Sequence, residues 1–463
     1  MSPAMRGAAA ALCLASSACP AVELAGGAPA QVAIVPYFTV ERGFSTLLEI
    51  RNESFTDIKA VKVVFHEARN GRVTLSFNGY LPPLSQHAFA VVGDSGVASV
   101  FKSDSNCTVP SFTAEPVTLR SFDFQGDRAD GGPVEPSRVN EGYIVAYEMG
   151  KVNADHPLGQ AISYGEAGIP RNCAAIVQAH SPPNGIWVNN INEGLSRPIT
   201  GSLGVKAQLV NVFEGTLGSI PVTTLRDFSG TLLHRLAGEP LFLDAVNPGD
   251  SKVLLPGGTI LQSRWDNPID AVSAVLMVER ARVNFSVDPA LGAQSDYFIA
   301  MPTKPFYTDP AIVGSTARAP FTRVFGQGDE CEVGNTQRIS RQGQMESAGG
   351  GELCNVSNVY NANATTNQFE TAVGSRISRQ LTGSIQSGSI LTLYDRDPDG
   401  FKRKGVNVLT SIEGHTFTGI PALSFSISNF INGNLGGLLS VYGESDAMVS
   451  ESLVRVNGKE ISY

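Results

Sequence analysis

The chain of 463 residues contains one short acidic run with the spacing of cation ligands. The run reads Asp395-Arg396-Asp397-Pro398-Asp399-Gly400, so carboxylates alternate with other residues before a glycine that permits a sharp turn. Alternating carboxylates of this kind can wrap a hard cation such as calcium with oxygen ligands. Asp395, Asp397 and Asp399 are therefore candidate metal ligands, and calcium is the one cofactor that the sequence suggests.

An exposed, charge-balanced turn explains the same residues. The position that supplies a bidentate acid in an EF-hand is occupied here by Val406. The basic residues Lys402, Arg403 and Lys404 balance the acidic charge, and Leu391 to Tyr394 resembles a strand rather than the helix of an EF-hand. Both interpretations stand at this point.

A second segment resembles a catalytic motif. Gly93-Asp94-Ser95-Gly96 is similar to the nucleophile segment of trypsin-like proteases. Val97 stands where that family has a second glycine, and no matching histidine segment with a neighbouring cysteine precedes it. A loop after a strand ending at Val92 accounts for these residues, so no catalytic residue is predicted here.

Histidines and aromatic residues give weaker signals. The histidines lack the paired spacing that is typical of a metal site. The fold could still bring several of them together, which would give the metal site of a metallohydrolase. Aromatic residues from Pro302 to Tyr307, with Trp187 and Trp265, could form a sugar- or peptide-binding surface, but such residues more often fill the core of a β-sandwich. The histidines are His66, His87, His156, His180, His234 and His415.

Residues 1–30 have the features of an export signal. Arg6 provides a positive start, Gly7 to Ala18 is apolar, and Ala28-Pro29-Ala30 fits a cleavage site. Cleavage after Ala18 is the alternative, which would make Cys19 a candidate lipid acceptor, but the preceding serines lack the aliphatic residue expected there. We therefore expect an extracytoplasmic protein that is secreted, periplasmic or on the outer cell surface.

Export gives the cysteines a structural meaning. Removal of residues 1–30 leaves Cys107, Cys173, Cys331 and Cys354, an even number for an oxidising compartment. Three connectivities are possible, and proximity favours Cys107–Cys173 with Cys331–Cys354. Metal binding is the competing interpretation, but there is no C-x-x-C pair.

The elements that must position any site are strands. Val61, Val63 and Phe65 alternate with more polar residues, Asn70-Gly71 predicts a type I′ turn, and a second alternating run follows from Val73 to Phe77. This hairpin is expected to bury one face against a second sheet and to leave the other face, which carries His66, in contact with solvent. Other segments predict a central strand at Gly142 to Met149 and either a strand or a helix at Asp270 to Arg280.

The amino-acid composition limits the possible fold classes and binding partners. Charged residues are 17% of the chain and glycine is frequent, which favours an all-β protein of two or three β-sandwich, immunoglobulin-like units with long loops. The expected units are residues 31–200, 201–310 and 311–463. The net charge of −9 argues against nucleic acid as a partner, and no later run is long enough for a transmembrane helix.

Three segments carry a resemblance to a known family. VAIVPYFTV at residues 32–40, the hairpin sequence with its Asn-Gly-Arg turn, and DYFIAMPTKPFY at residues 296–307 are similar to segments of uncharacterised secreted or surface proteins of Gram-negative bacteria. The resemblance implies location and architecture, with no activity attached. We expect a structural or interaction protein that binds a surface protein or glycan, of open oligomeric state; the alternative is an extracellular carbohydrate-active or hydrolytic enzyme.

Calorimetry separates the two interpretations of the acidic run. If Asp395, Asp397 and Asp399 ligate calcium, titration of the wild type should release or absorb heat, and Asp397→Ala should abolish that signal because it removes a central ligand. An absence of heat with both proteins would leave only the solvated turn.

Overall fold

The computed structural model describes residues 20–112, 115–197, 201–327, 331–348, 352–362, 378–380, 383–394, 396, 407–435 and 438–463. Strands predominate throughout this part of the chain, so the predicted all-β class is confirmed. Only short helices interrupt the sheets. The α-helices described are Pro157–Ile162, Cys173–Ala179, Ile186–Asn189, Pro268–Val275, Pro305–Thr308 and Pro310–Val313; the 3-10 helices are Glu41–Gly43, Phe122–Phe124, Gly126–Arg128, Pro136–Asn140, Leu243–Ala245 and Pro289–Leu291.

An eight-stranded sheet holds the predicted hairpin. Its strands Ile58–Glu67 and Val73–Leu81 pair antiparallel, and Glu141–Val152 lies between Ile58–Glu67 and Val32–Thr39, as expected for a central strand. Val32–Thr39 is not an edge strand, and its register shifts opposite Pro36 because proline cannot donate to the ladder. The order is Glu23–Leu24, Thr223–Arg226, Val32–Thr39, Glu141–Val152, Ile58–Glu67, Val73–Leu81 and Cys107–Val109, with Leu195–Ser196 beside Glu141–Val152.

A six-stranded sheet covers one face of the hairpin. It is built from strands on both sides of the hairpin in sequence, including Phe44–Asn52 before it and Gln86–Asp94 after it. Apolar side chains of both sheets, such as Phe65 and Phe77 from one and Leu48 and Ile50 from the other, share one buried cluster. The strand order is Thr216–Ile220, Leu203–Asn211, Phe44–Asn52, Gln86–Asp94, Val97–Lys102 and Val117–Thr118.

The other face of the hairpin is also buried, so the predicted solvated face is wrong. Every residue of Ile58–Glu67 is buried, because short helices and loops cover the face that carries Lys62 and His66. Buried charges on this strand are satisfied, as Lys62 Nζ donates to the carbonyl of Leu236 at 2.8 Å. Hydrogen bonding of this kind is what makes burial of an ammonium group tolerable.

The hairpin turn is wider than a type I′ turn. The loop covers residues 68–72, and Gly71 has a positive φ of 70° whereas Asn70 does not. The reason is Glu67, whose carboxylate accepts the backbone N–H groups of Asn70 at 2.9 Å and Arg72 at 3.0 Å. A side chain at the end of the strand therefore determines the turn geometry.

The remaining sheets are formed after residue 249. Ala293–Ala300 is a central strand between Ser357–Asn361 and Leu423–Leu435, and the ambiguous segment from Asp270 is a helix followed by a short strand. The segment from Leu225 to Ala237, whose sequence could hold a short helix, contains no helix. Six sheets are formed by the described residues in this part of the chain, and their strands, given sheet by sheet in order of pairing, are Asp250–Leu254 and Ile260–Arg264; Met277–Val278 and Ile420–Pro421; Met345–Ser347, Asn335–Ser340, Ser387–Leu393, Arg280–Ser286 and Val449–Glu451; Ser378–Gln380, Ser357–Asn361, Ala293–Ala300, Leu423–Leu435 and Leu438–Ala447; Glu332–Val333 and Glu352–Leu353; Val408–Thr410, Thr416–Thr418, Leu453–Val456 and Lys459–Ser462.

Both predicted disulfides are present, and they join Cys107 to Cys173 and Cys331 to Cys354. The first connects an edge strand to the start of a covering helix. The second lies next to the small sheet of Glu332–Val333 and Glu352–Leu353. The cysteine sulfurs are therefore used in covalent bonds, which removes them as metal ligands.

The sheets cross the expected domain boundary at residue 200. Leu203–Asn211 pairs along its length with Phe44–Asn52, and Thr223–Arg226 pairs with Val32–Thr39. The division into three units, and their immunoglobulin-like character, stay predictions. In the described part of the chain, no helix combines the length and apolar character needed to cross a bilayer.

Part of the expected export signal belongs to the fold. Val22 is fully buried, its N–H donates to the carbonyl of Asp250 at 2.9 Å, and Glu23–Leu24 pairs with Thr223–Arg226. Cleavage after Ala30 would remove these contacts, whereas cleavage after Ala18 would leave them intact.

Candidate functional site

A cavity of about 390 Å³ lies beside the hairpin turn. We call it the turn cavity. Three larger recesses in the described part of the chain have no histidine in their walls, whereas this one combines a histidine, acidic and basic groups and aromatic rings. Its walls are His66, Asn70, Gly71, Arg72, Val73, Asp123, Arg128, Tyr143, Val145, Tyr147, Phe242, Leu243, Pro302, Pro305, Phe306, Asp309, Ala311 and Ile312.

The floor of the turn cavity is formed by side chains from one face of the central strand. Tyr143, Val145 and Tyr147 lie at alternate positions of the central strand, so their side chains share one face of the sheet. His66 comes from the neighbouring strand, directly opposite Tyr143, and the two rings stack at 4.5 Å. The segment from Pro302 to Ile312 forms the opposite wall.

A buried cluster of charges holds the turn. Arg138 donates to both oxygens of Glu67, at 2.9 and 3.0 Å, and to both oxygens of Asp130, at 2.9 and 2.6 Å. Its guanidinium also lies 4.2 Å from the ring centre of Phe124. Burial raises the pKa of Asp130, but the hydrogen bonds and charge of Arg138 outweigh burial and lower that pKa overall.

The cluster continues into the cavity wall. Asn70 Nδ2 donates to Asp130 at 3.0 Å and to Asp309 at 3.2 Å, and Arg72 donates to Asp309 at 2.7 Å. Asp309 also accepts the backbone N–H of Ala311 at 2.9 Å, at the start of a helical turn. Burial raises the pKa of Asp309 despite these partners. The turn and the segment after Pro302 are thereby joined across more than two hundred residues.

His66 is uncharged in this wall, and one nitrogen of its ring can accept a hydrogen bond. Its Nδ1 donates to the carbonyl of Gly71 at 2.8 Å, which leaves Nε2 as the unprotonated nitrogen. Burial lowers the pKa of His66 to about 4, although the Gly71 bond and Glu67 oppose that shift. The solvated role expected for His66 is wrong, because the second layer covers its face of the sheet.

Several polar atoms of the wall have no hydrogen-bond partner in the described structure. They are Asn70 Oδ1, the hydroxyl of Tyr147 and Arg72 Nε, although Arg72 Nε lies 3.9 Å from the charged Oδ2 of Asp130. Asn70 and Tyr147 are each at most 1% exposed, and these polar atoms have almost no accessible surface, so neither solvent nor a molecule in the cavity contacts them. Burial raises the pKa of Tyr147, which keeps its hydroxyl protonated and able to donate. Unsatisfied buried groups of this kind lower the free energy of unfolding.

The far wall is anchored to the second disulfide. Lys304 Nζ donates to the carbonyls of Leu353 at 2.9 Å and Cys354 at 2.8 Å. The backbone N–H of Val356 donates to the carbonyl of Arg69 in the turn at 3.0 Å. The segment from Leu353 to Val356 therefore contacts both the far wall and the hairpin turn.

The residues proposed as calcium ligands cannot be placed. Asp395, Asp397 and Asp399 lie outside the described residues, so the calcium hypothesis stays a prediction. The neighbouring described segments, Ser387–Leu393 and Val408–Thr410, are strands, as the sequence indicated.

The protease-like segment forms a hairpin turn. Ser95 and Gly96 have positive φ values of 50° and 85° and connect Gln86–Asp94 to Val97–Lys102. Ser95 Oγ donates to Asp94 at 3.3 Å on the exposed surface. The loop interpretation is confirmed.

Two histidines that are distant in sequence meet in the fold. His180 Nε2 and His234 Nε2 lie 2.7 and 3.0 Å from the hydroxyl of Tyr80, and Trp187 stacks on Tyr80 at 5.2 Å. Burial lowers the pKa to about 3 for His180 and to about 4 for His234. None of the recesses described above includes these residues, so the cluster is a hydrogen-bonded part of the core.

One serine and histidine pair is also enclosed. Ser263 Oγ lies 2.9 Å from His415 Nδ1, but Ser263 is fully buried and lines none of the recesses. Trp187 and Trp265 are both core residues, which agrees with the interpretation favoured from sequence. Among the aromatic candidates, only Phe306 lines the turn cavity.

The sequence did not identify Asn70, Arg72, Tyr143, Tyr147 or Asp309 as site residues. One signal was available, because tyrosines at positions 143 and 147 interrupt a strand that is otherwise apolar on the same face. No protein-family model matches the chain, and no curated protein matches it.

Gly71→Ala should be much more destabilising than Gly96→Ala. Both glycines have positive φ, but a Cβ at position 71 would lie 2.6 Å from Pro305 Cγ, whereas a Cβ at position 96 meets nothing within 4 Å. We expect an additional loss of about 2 kcal/mol in unfolding free energy from the clash. Urea denaturation measures it, and equal losses in both variants would show that turn and far wall are not in contact.

His66→Gln should reduce the acid sensitivity of the fold. The unfolded chain takes up a proton near pH 6.5 whereas folded His66 does so near pH 4, so stability falls as pH drops through that window. Between pH 7 and pH 5 this difference amounts to about 2 kcal/mol. Urea denaturation at both pH values should show a correspondingly smaller change in the variant, and an unchanged difference would mean that His66 is solvated.

Proposed function

We propose that this chain is an extracytoplasmic interaction protein that binds its ligand in the turn cavity and does not catalyse a reaction. The proposal rests on how charged and uncharged groups are distributed in the cavity wall. The ionised side chains are paired with one another, and the rest of the wall is mostly aromatic and apolar surface from residues such as Tyr143, Phe242 and Phe306. Such a wall is suited to hold a molecule in place.

The groups of the wall are poorly arranged for acid–base or nucleophilic chemistry. His66 is stacked on Tyr143, and one ring nitrogen is already bonded to Gly71. Asp309 is occupied by Arg72, Asn70 and a backbone N–H. Catalysis needs a base within reach of a nucleophile or substrate proton, and none of the described residues that line this cavity is a serine, threonine or cysteine.

An enzyme is the second candidate, on one observation. His66, Asp123 and Asp309 line the same cavity, and a raised pKa such as that of Asp309 is common among general acids. A carbohydrate-active or hydrolytic enzyme would use these groups. The pairing of Asp123 with Arg128 favours binding over this alternative.

Several observations support the extracytoplasmic part of the proposal. Two disulfides are typical of oxidising compartments, and the resemblance to secreted or surface proteins points the same way. A chain exported to a bacterial periplasm should form both disulfides without added oxidant; free thiols in the exported chain would contradict this assignment.

Blocking the mouth of the cavity tests its role. Ala311 is exposed at the mouth and follows the sequence Asp309-Pro310, and Ala290 is exposed in the equivalent sequence Asp288-Pro289 away from the cavity. Ligand-detected NMR with a panel of free amino acids, methyl glycosides, benzoate, benzylamine and p-cresol should show a probe that binds wild type and Ala290→Trp. Ala311→Trp should bind that probe at least tenfold more weakly, because tryptophan fills the entrance.

The same spectra test the absence of catalysis. Every probe should be recovered unchanged after incubation with the wild type. Conversion of a probe that is lost in Ala311→Trp would establish the enzyme instead. Equal binding of all probes by both tryptophan variants would remove the turn cavity as the binding site.

A further inference from the structure

We infer that the chain has a second binding site, which takes an uncharged oligosaccharide. The site is a groove of about 640 Å³ between the sheet that contains Arg280–Ser286 and the sheet that contains Leu423–Leu435. We call it the polar groove. It shares no lining residue with the turn cavity, so the inference goes beyond the function proposed for that cavity.

One wall of the polar groove presents hydrogen-bond donors. Arg282 and Asn284 lie at alternate positions of one strand, so their side chains share a face of the sheet. Ser389 pairs with Asn284 and lies on the same face. Arg341 follows another strand of this sheet. Arg282, Asn284 and Arg341 all line the groove and are exposed, so a bound molecule can reach their polar groups.

The other wall presents acceptors. Asp446 pairs with Ser426 and Glu444 pairs with Ser428 across two antiparallel strands, so these side chains share one face of the second sheet. Glu444 is exposed and Asp446 is partly exposed, and both line the groove. The backbone N–H of Asn284 donates to Asp446 Oδ2 at 2.8 Å, which joins the two walls. An ionised carboxylate accepts hydrogen bonds and donates none.

The charged side chains of the two walls are not paired with each other. Among the described residues, the side chains of Arg282, Arg341 and Glu444 have no hydrogen-bond or ion-pair partner. In the turn cavity, by contrast, Arg72 and Asp309 bond to each other at 2.7 Å. The donors and acceptors of the polar groove are therefore both accessible and available to a ligand.

Small side chains on the floor leave room for a ligand. Ser426 and Ser428 lie at alternate positions and are at most 8% exposed. Ser426 Oγ donates to the carbonyl of Asn284 at 2.6 Å, and Ser428 Oγ lies 2.6 Å from Ser295 Oγ. The hydroxyls of the floor are thus satisfied within the protein, and the contacts to a ligand come from the exposed side chains above them.

A sugar chain matches both walls at once. Each sugar hydroxyl both donates and accepts, so hydroxyls along the chain can accept from the guanidinium groups and donate to the carboxylates. Hydrogen bonds to charged groups are the stronger kind. Leu291 and Phe430 add apolar surface that the C–H face of a sugar ring can cover. Positions 282 and 286 of the wall are about 13 Å apart along an extended strand, which is longer than a single sugar ring.

The other ligand classes fit the polar groove less well. Two guanidinium and two carboxylate groups line it, so a charged ligand that one wall attracts is repelled by the other. Peptides are usually bound at the open edge of a sheet or through apolar pockets. This groove instead lies across the faces of two sheets, and the exposed residues that line it are mostly polar.

A panel of uncharged pentasaccharides tests the inference by calorimetry at pH 7. The probes are maltopentaose, cellopentaose, laminaripentaose, xylopentaose, mannopentaose and chitopentaose. At least one should bind the wild type, and at least tenfold more tightly than its own monosaccharide, because the contacts extend along the groove. Its affinity should change less than twofold between low and high ionic strength, since salt screens only interactions between charges. Failure of every pentasaccharide to bind would overturn the inference.

Two conservative variants locate the sugar in the polar groove. Arg282→Gln and Glu444→Gln each remove one charge from an exposed side chain without a partner, so the fold should be unchanged. Each should bind the pentasaccharide about fivefold more weakly, because a hydrogen bond to a charged group is lost. Arg171→Gln and Glu166→Gln change exposed residues that do not line the groove and should bind as the wild type does. Wild-type affinity in both groove variants would overturn the inference.

Further comparisons separate this site from the turn cavity and from other ligands. Ala311→Trp, which closes the turn cavity, should bind the pentasaccharide as the wild type does. Loss of binding in Ala311→Trp with full binding in Arg282→Gln would place the sugar in the turn cavity and overturn the second site, while the function proposed for the turn cavity would stand. Tighter binding of free serine, a zwitterion, or of a capped pentaserine peptide than of any pentasaccharide would also overturn the inference.

Discussion

The buried guanidinium of Arg138 is the interaction on which the rest of the site depends. It pairs with both Glu67 and Asp130, and Glu67 in turn holds the backbone of the hairpin turn. Breaking a buried ion pair by removing one partner typically costs on the order of 3–5 kcal/mol, because the other charge is left uncompensated. The turn is thus held by electrostatics from a distant loop, and its own residue preferences have a smaller influence.

Because of this arrangement, the hairpin turn contacts segments that are distant from it in sequence. Asp130, Asn70 and Asp309 form a continuous set of hydrogen bonds from the 126–138 loop to the segment after Pro302. Two of the segments that carry the family resemblance, the Asn-Gly-Arg turn and the Pro-Thr-Lys segment, face each other here. The cavity exists because those segments are held close without filling the space between them.

The sequence was sufficient to predict the features that depend on a local residue pattern or on the number of cysteines. The hairpin, the central strand from Gly142 and the two disulfides follow from alternation and from four cysteines. The turn type was wrong because a neighbouring carboxylate overrode the preference of Asn70-Gly71. His66 was misjudged because alternation shows which residues share a face, but not whether a second layer covers it. The cavity itself depends on contacts between residues more than two hundred positions apart, and nothing in the spacing of the sequence records those.

The wide separation of the cavity walls also determines when they can form during folding. The hairpin and its turn lie before residue 82, whereas the far wall begins at Pro302. Contacts between segments so far apart close a long loop and form slowly compared with local structure. During folding the chain can therefore complete the hairpin while the cavity has only one side. A complete turn cavity consequently requires that the chain has folded to its later sheets, and a folding intermediate would present the same turn without the cavity.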